Sequence, residues 1–283
     1  MTAPNTNTNT TPPHDIQGFT DLDGATGVEK DGVAYTTFWK FYRNGEAYFA
    51  QIFKPRLEIS IAEVRDALRR VPDADIYPEI PAGGTNLRVM TEKPGDGVYI
   101  KRPSLLTYET SDPLALVRDI FLGEAEIMER VSRLDHTHII RYHGCQARDG
   151  RLTGIVLERH RCSLFEYFLW GWDKDGDGDG DHGAALDPRR FMEALESAVS
   201  SLHMAGLAHN DLKPSNVLLD GDNMPVLIDF GSCRPFGARL MEGGTPGWND
   251  SARLVVSSDR EHDLFGLARI REWLADPDRQ MNG

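Results

Sequence analysis

The chain has 283 residues and a formal net charge of −13 at pH 7, and its length suits one domain or two lobes with a sizeable core. This acidic charge argues against a protein that binds nucleic acid or a membrane surface. No apolar run is long enough for a transmembrane helix or a secretory signal core. The three cysteines lack metal-ligand spacing and indicate buried, inert thiols, so we expect an intracellular protein, cytoplasmic or nuclear.

The N-terminal part divides into a tail and an extension. Residues 1–20 are rich in Asn, Thr and Pro and have few apolar side chains, which predicts a disordered tail. Residues 34–75 predict a hairpin followed by a helix, because aromatic runs flank Asn44-Gly45 and a Ser-x-x-Glu capping box at Ser60 opens a helix over residues 60–71. We expect this extension to pack on the domain that follows, and partner binding is the less favoured interpretation.

Short strands are predicted next, over residues 76–103, and the last of them ends at Lys101. A helix follows over residues 113–134, with apolar side chains at the spacing of one face. This helix carries three glutamates, and alone each would be a solvated helix charge: Glu124, Glu126 and Glu129. Two more strands are predicted over residues 139–145 and 152–160.

An acidic Asp-Gly repeat over residues 173–183 separates two predicted helices, over residues 163–172 and 188–205. The repeat resembles the start of a calcium-binding loop, but Ala184 stands where that loop needs its bidentate glutamate. A flexible acidic insertion is therefore the favoured interpretation.

The stretch from Gly206 to Gly231 carries three polar side chains at fixed intervals. Asn216 follows Asp211 by five residues, and Asp229 follows Asn216 by thirteen. Between Asn216 and Asp229, two short apolar runs flank an Asp-Gly-Asp-Asn turn, which predicts a hairpin that brings these two side chains together. Mg²⁺ prefers such oxygen ligands and takes one or two from the protein when phosphates supply others.

These motifs resemble the catalytic loop and the metal-binding motif of the protein-kinase family: His-x-Asp-x-Lys-x-x-Asn from His209, and Asp-Phe-Gly from Asp229. Three stretches, AHNDLKPSN, DFGSCRP and GGTPGW, are also similar to abbreviated kinase-like proteins of filamentous fungi. The resemblance implies an α+β, two-lobed kinase-like fold, with a small β-rich N-lobe over residues 76–160 and a mostly helical, truncated C-lobe over residues 161–283.

The resemblance also implies roles for the residues of the central stretch. Asp211 would take or orient the proton of an acceptor hydroxyl, and Lys213 would steady the γ-phosphate of ATP. Asn216 and Asp229 would hold Mg²⁺ against the phosphates. The alternative for both aspartates is that they only cap turns.

A second group of residues would hold the nucleotide. By resemblance, Lys101 contacts the α and β phosphates and is fixed by Glu124, with Glu126 and Glu129 as competing candidates. The segment that contains Glu158 and His160 would receive the adenine through backbone groups. The glycine-rich phosphate cover lacks its family spacing, and Gly83-Gly84 or the Lys93–Gly97 segment stands in its place.

The helix expected from Glu261 would bury Leu264, Leu267, Ile270 and Leu274. By resemblance, Asp263 at its start would brace the catalytic loop, and the alternative is a charge that only favours the N-terminus of the helix. Beside the catalytic aspartate, Asn210 replaces the arginine that pairs with a phosphorylated activation segment in the family. This replacement suggests a different mode of activation.

Two hypotheses follow from these residues. The first is an ATP- and Mg²⁺-dependent phosphotransferase that acts on serine or threonine of proteins. The second is a pseudokinase that binds nucleotide or serves as a scaffold, and a small-molecule kinase is a further alternative.

Overall fold

The structure is a computed structural model that describes residues 15–30, 33–81, 86–91, 95, 97–106, 108, 114–169, 186–240, 244–250 and 257–276. The chain forms two compact units. Unit 1 contains residues 1–85, 101–122 and 146–154, and unit 2 contains residues 86–100, 123–145 and 155–283. The segment predicted as an N-lobe, residues 76–160, is therefore shared between the two units. None of the helices in the described ranges is long and apolar enough to cross a membrane.

The N-terminal sheet of unit 1 has four antiparallel strands in sequential order: β1 (Gly24–Lys30), β2 (Val33–Phe41), β3 (Ala47–Ile52) and β4 (Arg69–Val71). The predicted hairpin is confirmed as β2 and β3, and Gly45 takes a positive φ of 85° at its turn. Helix α1 (Ile61–Ala67) connects β3 to β4. Ser60 caps α1, and its hydroxyl and the Glu63 carboxylate form the predicted capping box.

Two features of unit 1 differ from the sequence predictions. The helix predicted over residues 60–71 ends at Ala67, because residues 69–71 pair with β3 as a strand instead. The predicted tail also ends earlier, since Ile16 is 1% exposed and packs in the hydrophobic cluster of Phe38 and Val64. Residues 15–20 therefore belong to the folded unit, and residues 1–14 lie outside the described ranges.

Unit 1 has a second hydrophobic cluster, which contains Phe49 from β3 and Val117 from its later segment. Helix α2 (Asp73–Ile76) occupies the start of the region predicted as strands. The strand predicted from Ile76 is reduced to a single bridge between Glu79 and Arg151.

The remaining elements follow in chain order. A three-stranded sheet has the order β5-β7-β6. In the sequence, β5 precedes helix α3, and β6 and β7 follow it. Two more helices come next, so the elements in order are β5 (Val98–Lys101), α3 (Leu114–Val131), β6 (Tyr142–Arg148), β7 (Arg151–Glu158), α4 (Leu164–Leu169) and α5 (Pro188–Met204). Four short strands and a helix complete unit 2: β8 (Leu207–Ala208), β9 (Val217–Leu219), β10 (Pro225–Leu227), β11 (Arg234–Pro235) and α6 (Arg260–Ala275). The mixed α+β content agrees with the predicted fold class.

The hydrophobic face of α6 is largely as predicted, with Leu267, Ile270 and Leu274 buried. The prediction for Leu264 was wrong, because this residue is 46% exposed. Trp273, which was not predicted, is buried as well. A residue one position after Asp263 is rotated by about 100° around the helix, which takes Leu264 off the face that Asp263 and Ile270 share. The free thiols of Cys145, Cys162 and Cys233 are all buried, as predicted.

Candidate active site

The loop that follows β8 is fixed by one buried carboxylate. Asp263 near the start of α6 is fully buried, and its two oxygens accept hydrogen bonds from the backbone N–H groups of His209 and Asn210, at 2.8 Å each. The His203 side chain is also 2.8 Å from Asp263 through Nε2. The predicted brace between Asp263 and the catalytic loop is confirmed.

Close backbone contact holds the same loop from a second side. A Cβ atom on Gly266 of α6 would lie 2.6 Å from the Leu212 Cβ and 2.9 Å from its carbonyl oxygen. Only glycine allows the helix to approach the loop so closely. The side chain of His209 adds a third attachment, because its Nε2 lies 2.8 Å from the carbonyl oxygen of Ile228.

The Asp211 carboxylate lies at the centre of a polar cluster. Oδ2 accepts hydrogen bonds from Lys213 Nζ at 2.8 Å and from Asn216 Nδ2 at 3.0 Å. Oδ1 accepts from the hydroxyl of Thr245 at 2.8 Å and from its backbone N–H at 3.0 Å. Burial opposes ionisation of Asp211, but the hydrogen bond and charge of Lys213 and the bonds from Thr245 outweigh it and hold the pKa below the ordinary value.

Thr245 is a site residue to which the sequence alone assigned no role. Besides contacting Asp211, its hydroxyl oxygen is 2.6 Å from Lys213 Nζ, so Thr245 joins both predicted catalytic side chains. The neighbouring Gly244 permits this approach, since a Cβ there would lie 2.9 Å from the carbonyl oxygen of Asn210. The signal in the sequence is the tripeptide Gly244-Thr245-Pro246, which places a hydroxyl directly after the glycine that permits the close approach.

The predicted hairpin is present as β9 and β10, which pair antiparallel. The backbone N–H of Ile228 donates to the carbonyl of Asn216 at 3.0 Å, which brings Asp229 next to Asn216. Asn216 uses Nδ2 to donate to the carbonyl and the carboxylate of Asp211, so Oδ1 is the atom that could ligate a cation. Asp229 has a left-handed backbone with φ 63° and caps the turn over Phe230–Ser232.

The three glutamates of α3 have different surroundings. A Cβ on Gly231 would lie 3.3 Å from Oδ1 of Asp229 and 3.7 Å from Oε2 of Glu124, so these two carboxyl groups are near neighbours. Glu126 is exposed, and Glu129 is bonded to Tyr142 and to the backbone of Arg88. Of the three glutamates, Glu124 is therefore the one beside the Asp-Phe-Gly motif.

The oxygens of Asn216 and Asp229 fit a magnesium ion that shares its coordination with phosphates. No cluster of three or more His, Cys, Asp or Glu side chains that could hold a metal is present in the described ranges. A dedicated protein cage is thus not formed by those residues.

The predicted nucleotide residues lie in both units. Lys101 ends β5 as predicted and belongs to unit 1, whereas Glu124 belongs to unit 2, and their pairing stays a prediction. Glu158 ends β7, and its backbone N–H donates to the carbonyl of Arg141 at 2.9 Å. His160 Nε2 is buried without a hydrogen-bond partner and lies 3.7 Å from the Glu158 carboxylate. Gly83-Gly84, most of the Lys93–Gly97 segment and the acidic repeat lie outside the described residues.

Asn210 has a structural role that its family position alone did not reveal. Its buried Nδ2 lies within 3.0 Å of the carbonyl oxygens of Ala208 and Ser232 and of the Ser258 hydroxyl. Its Oδ1 is 3.0 Å from Nδ1 of His262. The amide thus joins the catalytic loop to the segment after the Asp-Phe-Gly motif and to α6.

Comparison with known proteins agrees with these observations. A family described as "Protein kinase domain" matches residues 84–262. The chain is 45% identical over 84 residues to the phosphorylase b kinase gamma catalytic chain, liver/testis isoform, of Mus musculus, which covers 28% of this chain and 20% of that protein. It is 32% identical over 114 residues to CBL-interacting protein kinase 25 of Oryza sativa subsp. japonica (39% and 21%), and 33% identical over 137 residues to human serine/threonine-protein kinase/endoribonuclease IRE2 (44% and 14%). The chain spans about a fifth or less of the length of these relatives.

Proposed function

The chain belongs to the protein kinase family, and we propose that it transfers the γ-phosphoryl group of ATP, in the presence of Mg²⁺, to a serine or threonine hydroxyl of a protein. The observation that carries this proposal is the Asp211 carboxylate, which is ionised at neutral pH and held between Lys213, Thr245 and Asn216. Phosphoryl transfer depends on positioning and charge stabilisation, and a cluster of this kind supplies both.

In this proposal Asp211 receives the acceptor hydroxyl. A carboxylate with a lowered pKa is a weak base, so it first orients the hydroxyl through a hydrogen bond and takes the proton as the new O–P bond forms. The bond between the γ-phosphorus and the bridging oxygen breaks, and its electrons leave with ADP. The ammonium of Lys213, 2.8 Å from Asp211, stabilises the negative charge on the transferring group.

We assign the metal to Asn216 Oδ1 and the Asp229 carboxylate. When bound there, Mg²⁺ would neutralise the negative charge of the phosphate groups. The left-handed backbone of Asp229, its capped turn and the Asn216–Ile228 hydrogen bond hold these two ligands in place.

For the nucleotide, we assign the α and β phosphates to Lys101, with Glu124 as the partner that orients its ammonium. The carbonyl of Glu158 is the acceptor that we assign to the adenine amino group, since the N–H of Glu158 is bonded to Arg141. The orphaned Nε2 of His160, two residues further on, is a polar group that a bound nucleotide would satisfy.

A serine or threonine acceptor is favoured over tyrosine because Lys213 follows Asp211 by two residues, which the resemblance to protein kinases associates with serine/threonine acceptors. One of the relatives, IRE2, is named a serine/threonine-protein kinase, which agrees with this assignment.

The proposal is tested by ATP binding and by phosphoryl transfer to a serine/threonine peptide library. We expect ATP with Mg²⁺ to raise the melting temperature. Asp211→Asn should lower kcat by about 100- to 10,000-fold, as expected for loss of a positioned base. Asp222→Asn, on the exposed turn of the same hairpin, is the matched control and should retain wild-type activity. Lys101→Met should abolish transfer in a folded protein.

Three results would contradict the proposal. Absence of any thermal shift would exclude nucleotide chemistry. Binding without transfer would favour the pseudokinase hypothesis, and transfer only to small-molecule hydroxyls would move the acceptor to a different class. Full activity of Asp211→Asn would show that the base is misassigned.

A further inference from the structure

Glu129 of α3 is a buried carboxylate for which the proposed reaction has no use. The residue is 7% exposed, and Oε1 accepts hydrogen bonds from the Tyr142 hydroxyl at 2.9 Å and from the backbone N–H of Arg88 at 2.5 Å. The guanidinium of Arg88 is 3.7 Å from Oε2. One carboxylate therefore joins α3, strand β6 and the segment over residues 86–91, which we call the edge segment.

The edge segment is docked tightly on β6. The N–H of Cys145 donates to the carbonyl of Arg88 at 2.7 Å, and the N–H of Met90 donates to the carbonyl of Cys145 at 2.9 Å. Gly144 has φ 136°, and a Cβ there would lie 2.6 Å from the carbonyl oxygen of Arg88. Only glycine permits both this backbone angle and this approach, so the sequence of β6 is adapted to the edge segment.

Protonation states keep this connection intact at neutral pH. Burial raises the pKa of the Tyr142 phenol, so the hydroxyl remains a donor to Glu129. Burial also raises the pKa of Cys145 to about 11, so its sulfur, 3.1 Å from the same hydroxyl, stays a neutral thiol. A buried carboxylate is costly unless donors surround it, and Tyr142 and Arg88 supply them.

Helix α3 also carries Glu124, which is 5% exposed and lies beside Gly231. Five residues along an α-helix correspond to about 7.5 Å along the axis and about 140° around it. Glu124 and Glu129 therefore point to different sides of α3, and any rotation of the helix that moves one also moves the other.

We propose that Glu129 is a positioning residue, which fastens α3 to β6 and to the edge segment and thereby fixes the rotation of α3 that keeps Glu124 beside Gly231. This inference rests on the proposed function for its effect on catalysis, but the attachment itself is independent of nucleotide. Release of the edge segment would loosen α3 and displace Glu124 from the Asp-Phe-Gly motif.

Three variants test the attachment at different atoms. Glu129→Gln keeps an acceptor for the Arg88 N–H but places an amide NH₂ toward the guanidinium. Tyr142→Phe removes only the hydroxyl. Gly144→Ala displaces the edge segment without changing any side chain that contacts Glu129. Glu126→Gln, an exposed position on the same helix, is the matched control.

We expect the first three variants to lower kcat by about 10- to 100-fold with little change in the KM for the acceptor peptide, because misplaced groups slow the transfer step. Glu126→Gln should match the wild type. Without nucleotide, hydrogen exchange over residues 123–131 and 229–232 should become about tenfold faster in the three variants and remain unchanged in the control.

Two results would overturn the inference. The first is a Glu129→Gln protein that melts at a lower temperature but has wild-type kcat, which would reduce the carboxylate to a stabilising contact. The second is unchanged exchange over residues 229–232 in all three variants. If the wild type transfers no phosphate, the proposed function fails, and the exchange measurement alone decides on the attachment.

Discussion

Asp263 offers the most direct test of how the catalytic loop is held. In Asp263→Asn, the amide oxygen can still accept one of the two backbone N–H groups of the loop. The amide nitrogen then faces the other N–H, so one charge-assisted hydrogen bond is lost and a buried donor is left without an acceptor. The shape of the side chain is retained, which isolates the hydrogen bonding.

The expected loss can be estimated from these contacts. A hydrogen bond to a charged group contributes about 1.5–3 kcal/mol, and an unsatisfied buried donor costs about 1–3 kcal/mol. We therefore expect the free energy of unfolding to fall by about 2.5–6 kcal/mol, which is a large part of the roughly 5–15 kcal/mol typical of native proteins. At about 2–4 °C per kcal/mol, the melting temperature should fall by roughly 5–24 °C.

Scanning calorimetry of wild type and Asp263→Asn provides the measurement, together with kcat of the folded protein below the transition. Glu272→Gln is the control, because Glu272 is an exposed acid on the same helix whose replacement should change stability by less than about 1 kcal/mol. A melting temperature for Asp263→Asn close to that of the control, with unchanged kcat, would refute the assigned brace.

Three further predictions concern the same loop. The depressed pKa of Asp211 means that its ionised form stabilises the fold above the ordinary pKa of 3.8 and that this contribution is lost as pH falls through the lower folded value. In urea unfolding, the excess stability of wild type over Asp211→Asn should be constant above about pH 5 and should shrink toward pH 3. Gly266→Ala should cost about 1–3 kcal/mol in urea unfolding and reduce kcat, because the added methyl group overlaps Leu212; a neutral substitution would show that the helix can move away. Phosphatase-treated wild type should keep its transfer rate, because the Asn210 amide joins the loop to the following segment without phosphate. Asn210→Asp should lose most of the transfer rate in the same peptide assay. A strong effect of phosphatase on the wild type would contradict this prediction.

Local patterns predicted the elements that depend on neighbouring residues. The Asn44-Gly45 turn, the Ser60 capping box and the Asp-Gly turn of the β9–β10 hairpin each follow from a few adjacent side chains. The end of α1 did not, because β4 is made by pairing with β3, about twenty residues earlier. Long-range pairing outweighed the apolar helical spacing that extends to Val71.

The site was predictable where a motif is contiguous and was not where distant segments meet. Asp211, Asn216 and Asp229 lie within nineteen residues and share one turn and one hairpin. The contact between Asp211 and Thr245 spans 34 residues, and no local pattern encodes it. Glu129 was a candidate for the lysine partner because periodicity alone does not say which buried neighbour a helix face meets.

The buried thiols give the molecule an internal set of chemical reporters. Cys145, Cys162 and Cys233 all belong to unit 2, and unit 1 contains no cysteine. Burial raises the pKa of each thiol, so an alkylating reagent reacts with them only when the surrounding structure opens. Mass spectrometry of the labelled protein would therefore time three separate openings: at β6, before α4 and after the Asp-Phe-Gly turn. The same burial keeps cysteine-directed inhibitors away from the folded protein.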